Sequence, residues 1–202
     1  DMYVTNNSSS FANILFRNDG DRFTDMADEL EIQYTEERGG NNPAVWGDYD
    51  NDGDLDLFLP VPYYPDKLFR NDISENGRFS EVLLEVGLND SGKVVKTPWV
   101  DYDNDGDLDL FMIKTANPGD GDYNRLYRND AGFFTDVAPE VGLDDNVIGI
   151  YASWADYDND GDLDLLTGGQ DGVGQTNRLH LFRNDGPVGD ANHWLGVAVQ
   201  TE

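Results

Sequence analysis

Apolar residues in this chain come in short runs that alternate with polar ones and are cut by dense acidic or glycine-bearing stretches. Leu55-Asp56-Leu57-Phe58, Leu108-Asp109-Leu110-Phe111 and Leu163-Asp164-Leu165-Leu166 each follow such a stretch, and Val45-Trp46, Trp99-Val100 and Trp154-Ala155 precede them. Runs of this length with period two predict strands on both sides of an acidic turn. Two further runs return in step. Leu15-Phe16-Arg17-Asn18-Asp19 is echoed at Leu68–Asp72, Leu126–Asp130 and Leu181–Asp185, and Phe23-Thr24-Asp25 at Phe79-Ser80-Glu81 and Phe134-Thr135-Asp136. Each unit therefore reads as a tryptophan strand, an acidic turn, a Leu-Asp-Leu strand, a variable connection, a Leu-Phe-Arg-Asn strand, a tight turn and a Phe-Thr-Asp strand.

The period is about 53 to 58 residues, and four short strands repeating at that length predict an all-β array of four-stranded blades of the β-propeller type. The boundaries fall at 1–44 for a partial first repeat, 45–97 with the turn 48–56, 98–152 with the turn 101–109, 153–190 with the turn 156–164, and 191–202 for the start of a C-terminal strand or module. Asp1-Met2-Tyr3-Val4 lies against Asp109-Leu110-Phe111-Met112, so the first repeat is expected to start at the ninth position of a truncated turn. Spacers with Glu85-Val86-Gly87-Leu88 and Glu140-Val141-Gly142-Leu143 lead from one repeat to the next.

The acidic turns carry the chemistry. Asp48-Tyr49-Asp50-Asn51-Asp52-Gly53-Asp54-Leu55-Asp56 returns letter for letter at 101–109 and 156–164. Five carboxylates in nine residues repel unless a cation sits among them. Positions one, three, five and nine offer side-chain oxygens: Asp48, Asp50, Asp52 and Asp56; Asp101, Asp103, Asp105 and Asp109; Asp156, Asp158, Asp160 and Asp164. The seventh, Asp54, Asp107 or Asp162, offers its backbone carbonyl, and the glycine at position six permits the sharp turn. Hard oxygen ligands in that number suit calcium, at three sites; magnesium demands a tighter octahedron and zinc prefers nitrogen or sulfur. The opening matches an EF-hand loop, but the twelfth positions are Leu59, Met112 and Thr167 where an EF-hand needs glutamate, and the flanks are strands.

Charge narrows the partners. The formal net charge of the 202 residues is -28, and three divalent ions would leave roughly -22, so the acidity exceeds what the turns use. Nucleic acid and anionic membrane surfaces are repelled, and no segment calls for membrane insertion. There is no cysteine, hence no disulfide framework. Extracellular calcium modules work at roughly 0.1 to 1 mM dissociation constants, which points to an extracellular or cell-surface home, or to the periplasm.

The Asp-Tyr-Asp-Asn-Asp-Gly-Asp-Leu-Asp turns and Leu-Phe-Arg-Asn strands resemble FG-GAP/VCBS repeats, the calcium-binding blades of integrin alpha chains and of many secreted bacterial proteins. The resemblance implies propeller blades with calcium in the first inter-strand turn. Three full repeats and a partial one are fewer than a closed integrin-type propeller holds, which implies an open or partial propeller. Asn192-His193-Trp194-Leu195-Gly196-Val197 is similar to the start of the module that follows such repeats in the cartilage acidic protein family.

Beyond the turns, Trp46, Trp99 and Trp154 are expected as core anchors, and Arg17, Arg70, Arg128 and Arg183 as internal partners of carboxylates. The two histidines, His180 and His193, sit in no catalytic or metal spacing, and no phosphate loop, nucleophile elbow or zinc signature is present. Asn6, Asn7 and Asn89 head Asn-x-Ser triplets, and the connections 61–66, 116–124 and 168–177 are the places to look for recognition. The expected function is that of a secreted, non-enzymatic calcium-binding protein with a structural, adhesive or scaffolding role and a protein or carbohydrate ligand. The alternatives are a self-assembling filament or ring subunit, associating through open blade edges, and a polysaccharide-binding or polysaccharide-cleaving propeller.

Overall fold

The computed structural model describes all residues except 7–10, 36–42, 63, 90–93, 115–122, 144–146, 172–176, 187–194 and 201–202. The triplet headed by Asn7, the last two residues of those headed by Asn6 and Asn89, most of the connection 116–124, part of 168–177, and the Asn192-His193-Trp194 start of the C-terminal segment lie outside the described residues. The protein is all-β, and its strands fall in two compact units, Asp1–Ser91 and Gly92–Glu202.

In the first unit, β1 (Met2–Val4), β2 (Ile14–Asn18) and β3 (Phe23–Asp25) form a three-stranded antiparallel sheet. A four-stranded sheet follows in the order β4 (Val45–Gly47), β5 (Asp56–Leu59), β6 (Lys67–Asp72) and β7 (Arg78–Glu81), with a single helical turn, α1 (Ile73–Asn76), between the last two strands. This is the predicted meander, and the register Trp46↔Leu57↔Phe69 sets the large residues side by side on one face. Alternation was expected along β5, yet all four of its positions are buried. Leu57, Leu59 and Phe69 join Leu15, Met26, Ala27, Ile32 and Phe79 in one core, against which Tyr3, Leu30 and Trp46 pack.

In the second unit, β10 (Asp109–Lys114) is central. It pairs with β11 (Arg125–Asp130), which pairs with β12 (Phe133–Asp136), and on its other side with β8 (Val94–Lys96) and β9 (Trp99–Val100). The helical turn α2 (Ala138–Val141) closes on Gly142, whose φ of 74° the missing Cβ permits. The last sheet runs β13 (Val147–Ala155), β14 (Asp164–Asp171), β15 (Asn177–Arg183) and β16 (Leu195–Gln200). Its fourth strand comes from the C-terminal segment, since no Phe-Thr-Asp run follows β15, and β13 begins at Val147, ahead of the tryptophan on which the repeat boundary at 153 was drawn. Likewise β8 pairs with the sheet of the repeat that follows it.

The tryptophans pack as anchors within their units. Trp46 lies 6.3 Å from Phe79, Trp99 6.1 Å from Phe134, and Trp154 edge-on to Phe111 at 5.6 Å. The second core gathers Val100, Tyr102, Phe111, Leu126, Val137, Leu165 and Phe182.

Candidate metal centre

Each acidic turn is built the same way. Asp48 accepts the backbone N–H groups of Asp52 and Gly53, both at 3.1 Å, on its two carboxylate oxygens. Asp101 accepts those of Asp105 and Gly106 at 3.1 and 3.2 Å, and Asp156 those of Asp160 and Gly161 at 3.1 Å. The chain reverses through a left-handed asparagine (Asn51, Asn104, Asn159; φ 58°, 60° and 65°) and a left-handed glycine (Gly53, Gly106, Gly161; φ 95°, 94° and 100°). Asparagine and glycine are the residues that tolerate this region.

The ninth aspartate is the buried floor. Asp56, Asp109 and Asp164 are at most 1% exposed. One oxygen accepts the N–H of the tyrosine at position two (Tyr49, Tyr102, Tyr157; 3.1, 3.0 and 3.0 Å). The other accepts the N–H of the asparagine in the Leu-Phe-Arg-Asn strand (Asn71, Asn129, Asn184; each 2.8 Å). That asparagine also donates its Nδ2 to the carbonyl of position eight, Leu55, Leu108 or Leu163. Its role was not read from the sequence, although its recurrence with the motif was the available signal. Asp1 takes the ninth position of the partial repeat, accepting the N–H of Asn18 at 2.8 Å.

Positions one, three and nine converge. Asp48, Asp50 and Asp56, then Asp101, Asp103 and Asp109, then Asp156, Asp158 and Asp164, each bring carboxylate oxygens within 4.8 Å of one another. Oδ1 of Asp50 and Oδ1 of Asp103 are buried with no hydrogen-bond partner. The fifth and seventh side chains make bonds of their own. Oδ1 of Asp52, Asp105 and Asp160 accepts the N–H two residues on, at 2.9, 2.8 and 3.0 Å. The Asp54 side chain accepts from Ser74 Oγ, that of Asp107 from the Ala131 N–H, and that of Asp162 from Asn104 Nδ2. Asn104 Nδ2 also donates to the Gly161 carbonyl at 3.3 Å, so the two turns of the second unit are bonded to each other.

Burial makes the charged form of several of these carboxyls costly. Burial, with the Asp50 and Asp52 charges adding to it, pushes Asp56 up to about 7 despite two stabilising N–H groups. Asp109 is pushed up to about 8 by burial, with smaller additions from Asp103 and Asp105. Asp103 is pushed up to about 6 by burial and the neighbouring Asp105 and Asp101 charges, and Asp50 moves in the same direction for the same reasons. The donor set is all oxygen and anionic, with an orphaned oxygen at the third position of two turns, and so fits a hard divalent cation.

The arginines pair as expected, each with the aspartate two residues on: Arg17 with Asp19 at 2.8 Å, Arg70 with Asp72 at 2.7 Å, Arg128 with Asp130 at 2.9 Å and Arg183 with Asp185 at 2.7 Å. The Arg70 hydrogen bond holds the Asp72 carboxyl below its usual range. In the connection 61–66, Asp66 accepts the Val61 N–H at 2.7 Å.

Compared with known families, residues 101–167 match the FG-GAP-like repeat. The match runs from the first aspartate of one acidic turn, through the whole of the next, into β14. Among curated proteins, none matches the chain. No helix among the described residues is long and apolar enough to cross a membrane.

Proposed function

We propose that this protein is a secreted calcium-binding repeat protein whose ions rigidify the corners between strands, and that it serves a structural, adhesive or scaffolding role at the cell surface or outside the cell. The observation that carries the reading is the gathering of three carboxylates per turn around a buried ninth aspartate, with Asp50 Oδ1 and Asp103 Oδ1 left without hydrogens to accept. Asp48, Asp50 and Asp56 would hold the ion in the first turn, and their equivalents would do so in the other two. The ion supplies positive charge where burial otherwise disfavours the ionised carboxylates.

The reading is structural, not catalytic. In each turn the first carboxylate caps the backbone with both oxygens and the ninth is held by two N–H groups, which supports a role in fixing the corner. The test is calorimetric titration of the 202-residue chain with calcium and with magnesium, beside thermal melts in calcium and in EGTA. Calcium uptake at three sites, selective over magnesium, with a higher melting temperature in calcium is expected. Equal melts in both conditions, with no uptake, would refute it.

A further inference from the structure

The two acidic turns of the second unit are joined through side chains. Asn104, at the fourth position of the first turn, donates its Nδ2 to Asp162 Oδ1 at 2.7 Å and to the Gly161 carbonyl at 3.3 Å in the second. A buried bond runs beside this link: Asn184 Nδ2 donates to the Tyr102 carbonyl of the first turn at 2.7 Å. The same Asn184 donates its N–H to Asp164 at 2.8 Å and its Nδ2 to the Leu163 carbonyl, both in the second turn. The other oxygen of Asp162 is confined as well, since a Cβ on Gly186 would stand 2.2 Å from it.

Both ends of the Asn104 link lead to carboxylates that gather in their turns. Asn104 lies between Asp103, which converges with Asp101 and Asp109, and Asp105, whose N–H is held by Asp101 Oδ1 at 3.1 Å. Gly161, whose carbonyl Asn104 holds, donates its N–H to Asp156 Oδ2 at 3.1 Å, and Asp156 converges with Asp158 and Asp164. Asn104 is exposed and left-handed, with φ 60°, so the bonds it makes to its neighbour depend on the path of its own turn.

We propose that Asn104 makes the turns 101–109 and 156–164 a cooperative pair, in which calcium at one raises the affinity of the other; the proposal rests on the calcium reading given above. With Asp101, Asp103 and Asp109 closed on an ion, the backbone on both sides of Asn104 is restricted. Its carboxamide then holds the Gly161-Asp162 peptide, and through the Gly161 N–H the Asp156 carboxylate, in place. Part of the ordering cost of the second site is met at the first, and linkage makes the effect reciprocal. Charge acts with the opposite sign, because one bound ion weakens the negative potential that draws the next. That opposing effect is reduced at about 0.15 M salt, where the screening length is about 8 Å, and ordering dominates.

The test follows the Gly106 and Gly161 amide resonances of the isotope-labelled 202-residue chain by NMR through calcium titrations in that salt, so that each turn reports its own occupancy. Asp158→Asn, at an exposed position of the second turn, removes a ligand there. It is expected to raise the calcium concentration that half-saturates Gly106 at least about threefold. Asp103→Asn is expected to raise that of Gly161 by the same factor. In the Asn104→Gly background both ratios are expected to fall to near one, since glycine keeps the left-handed turn without the carboxamide. Asn104→Asp, which tolerates the same turn but brings no hydrogen to donate, is expected to lose the coupling too. Calcium-dependent shifts at Gly106 that Asp158→Asn leaves unchanged, or a coupling that survives in either Asn104 variant, overturn the proposal and leave the calcium sites standing. A chain whose turns show no response to calcium overturns the calcium reading and the coupling with it, so the two failures are distinguishable.

Discussion

Replacing Asp109 by asparagine separates the ion from the turn that would hold it. The side chain is fully buried and accepts two backbone N–H groups, from Tyr102 at 3.0 Å and from Asn129 at 2.8 Å. Asparagine keeps one acceptor and presents an NH2 group to the other donor. A buried donor left unmatched costs about 1 to 3 kcal/mol. In EGTA that loss is offset in part, since the substitution also removes a carboxylate whose pKa burial has raised to about 8. In calcium the offset disappears and the ion's own contribution goes too, about 1.4 kcal/mol at ten times the dissociation constant and about 2.7 kcal/mol at one hundred times. For a unit of this size, in which 1 kcal/mol moves the midpoint by about 4 to 8 °C, the variant should fall further below the parent in calcium than in EGTA by roughly 6 to 20 °C. The assay is a pair of thermal melts by circular dichroism for parent and variant. An equal drop in both conditions would show that Asp109 acts only as a clamp on the backbone and would refute its place as an ion ligand.

Three further outcomes follow from the same geometry. In EGTA the melting temperature should fall as pH rises from 5 to 8: Asp103, Asp56 and Asp109 bind protons more tightly folded than unfolded, with values about 6, about 7 and about 8 against 3.8, so the stability they lend at low pH is lost through that window. Calcium should flatten that fall, because the ion replaces the protons, and a melting temperature in EGTA that rises between pH 5 and 8 would contradict the assignment. Gly106→Ala should destabilise by about 1 to 2 kcal/mol in calcium and EGTA alike. Nothing lies within 4 Å of the added Cβ, so backbone strain at φ +94° is the whole effect, measurable by urea denaturation. Tyr102→Ala should cost about 3 to 5 kcal/mol, as for other large buried aromatic residues, whereas Tyr157→Ala, at the same motif position but 49% exposed, should cost under about 1 kcal/mol by the same denaturation measurement.

Most of the strand plan was legible because period-two runs punctuated by identical turns leave few other ways to fold. The acidic turns, the glycine at their sixth position, the arginine pairs and the tryptophan anchors stand where their spacing put them. Spacing set the seventh aspartate apart as a backbone-carbonyl donor; what it could not give is the close convergence of positions one, three and nine, which the path of the chain through Asn51 and Gly53 brings about. The alternation expected along β5 and β10 is absent because those strands are buried at every position. The outer strand of the last sheet was also hidden, since Leu195–Gln200 shares no motif with the Phe-Thr-Asp strands and earns its place by pairing with β15. The spacers held an unread detail as well: Leu88 and Leu143, which close them, are buried core residues.

The carboxamide of Asn104, tied to Gly161 and Asp162 of the next turn, makes neighbouring corners mechanical partners. A cation held at one of them would stiffen the backbone from which Asn104 reaches, and so bear on the shape of the adjoining loop. In a longer run of such units, occupancy would spread from neighbour to neighbour, and the array would respond to rising calcium more steeply than any isolated corner.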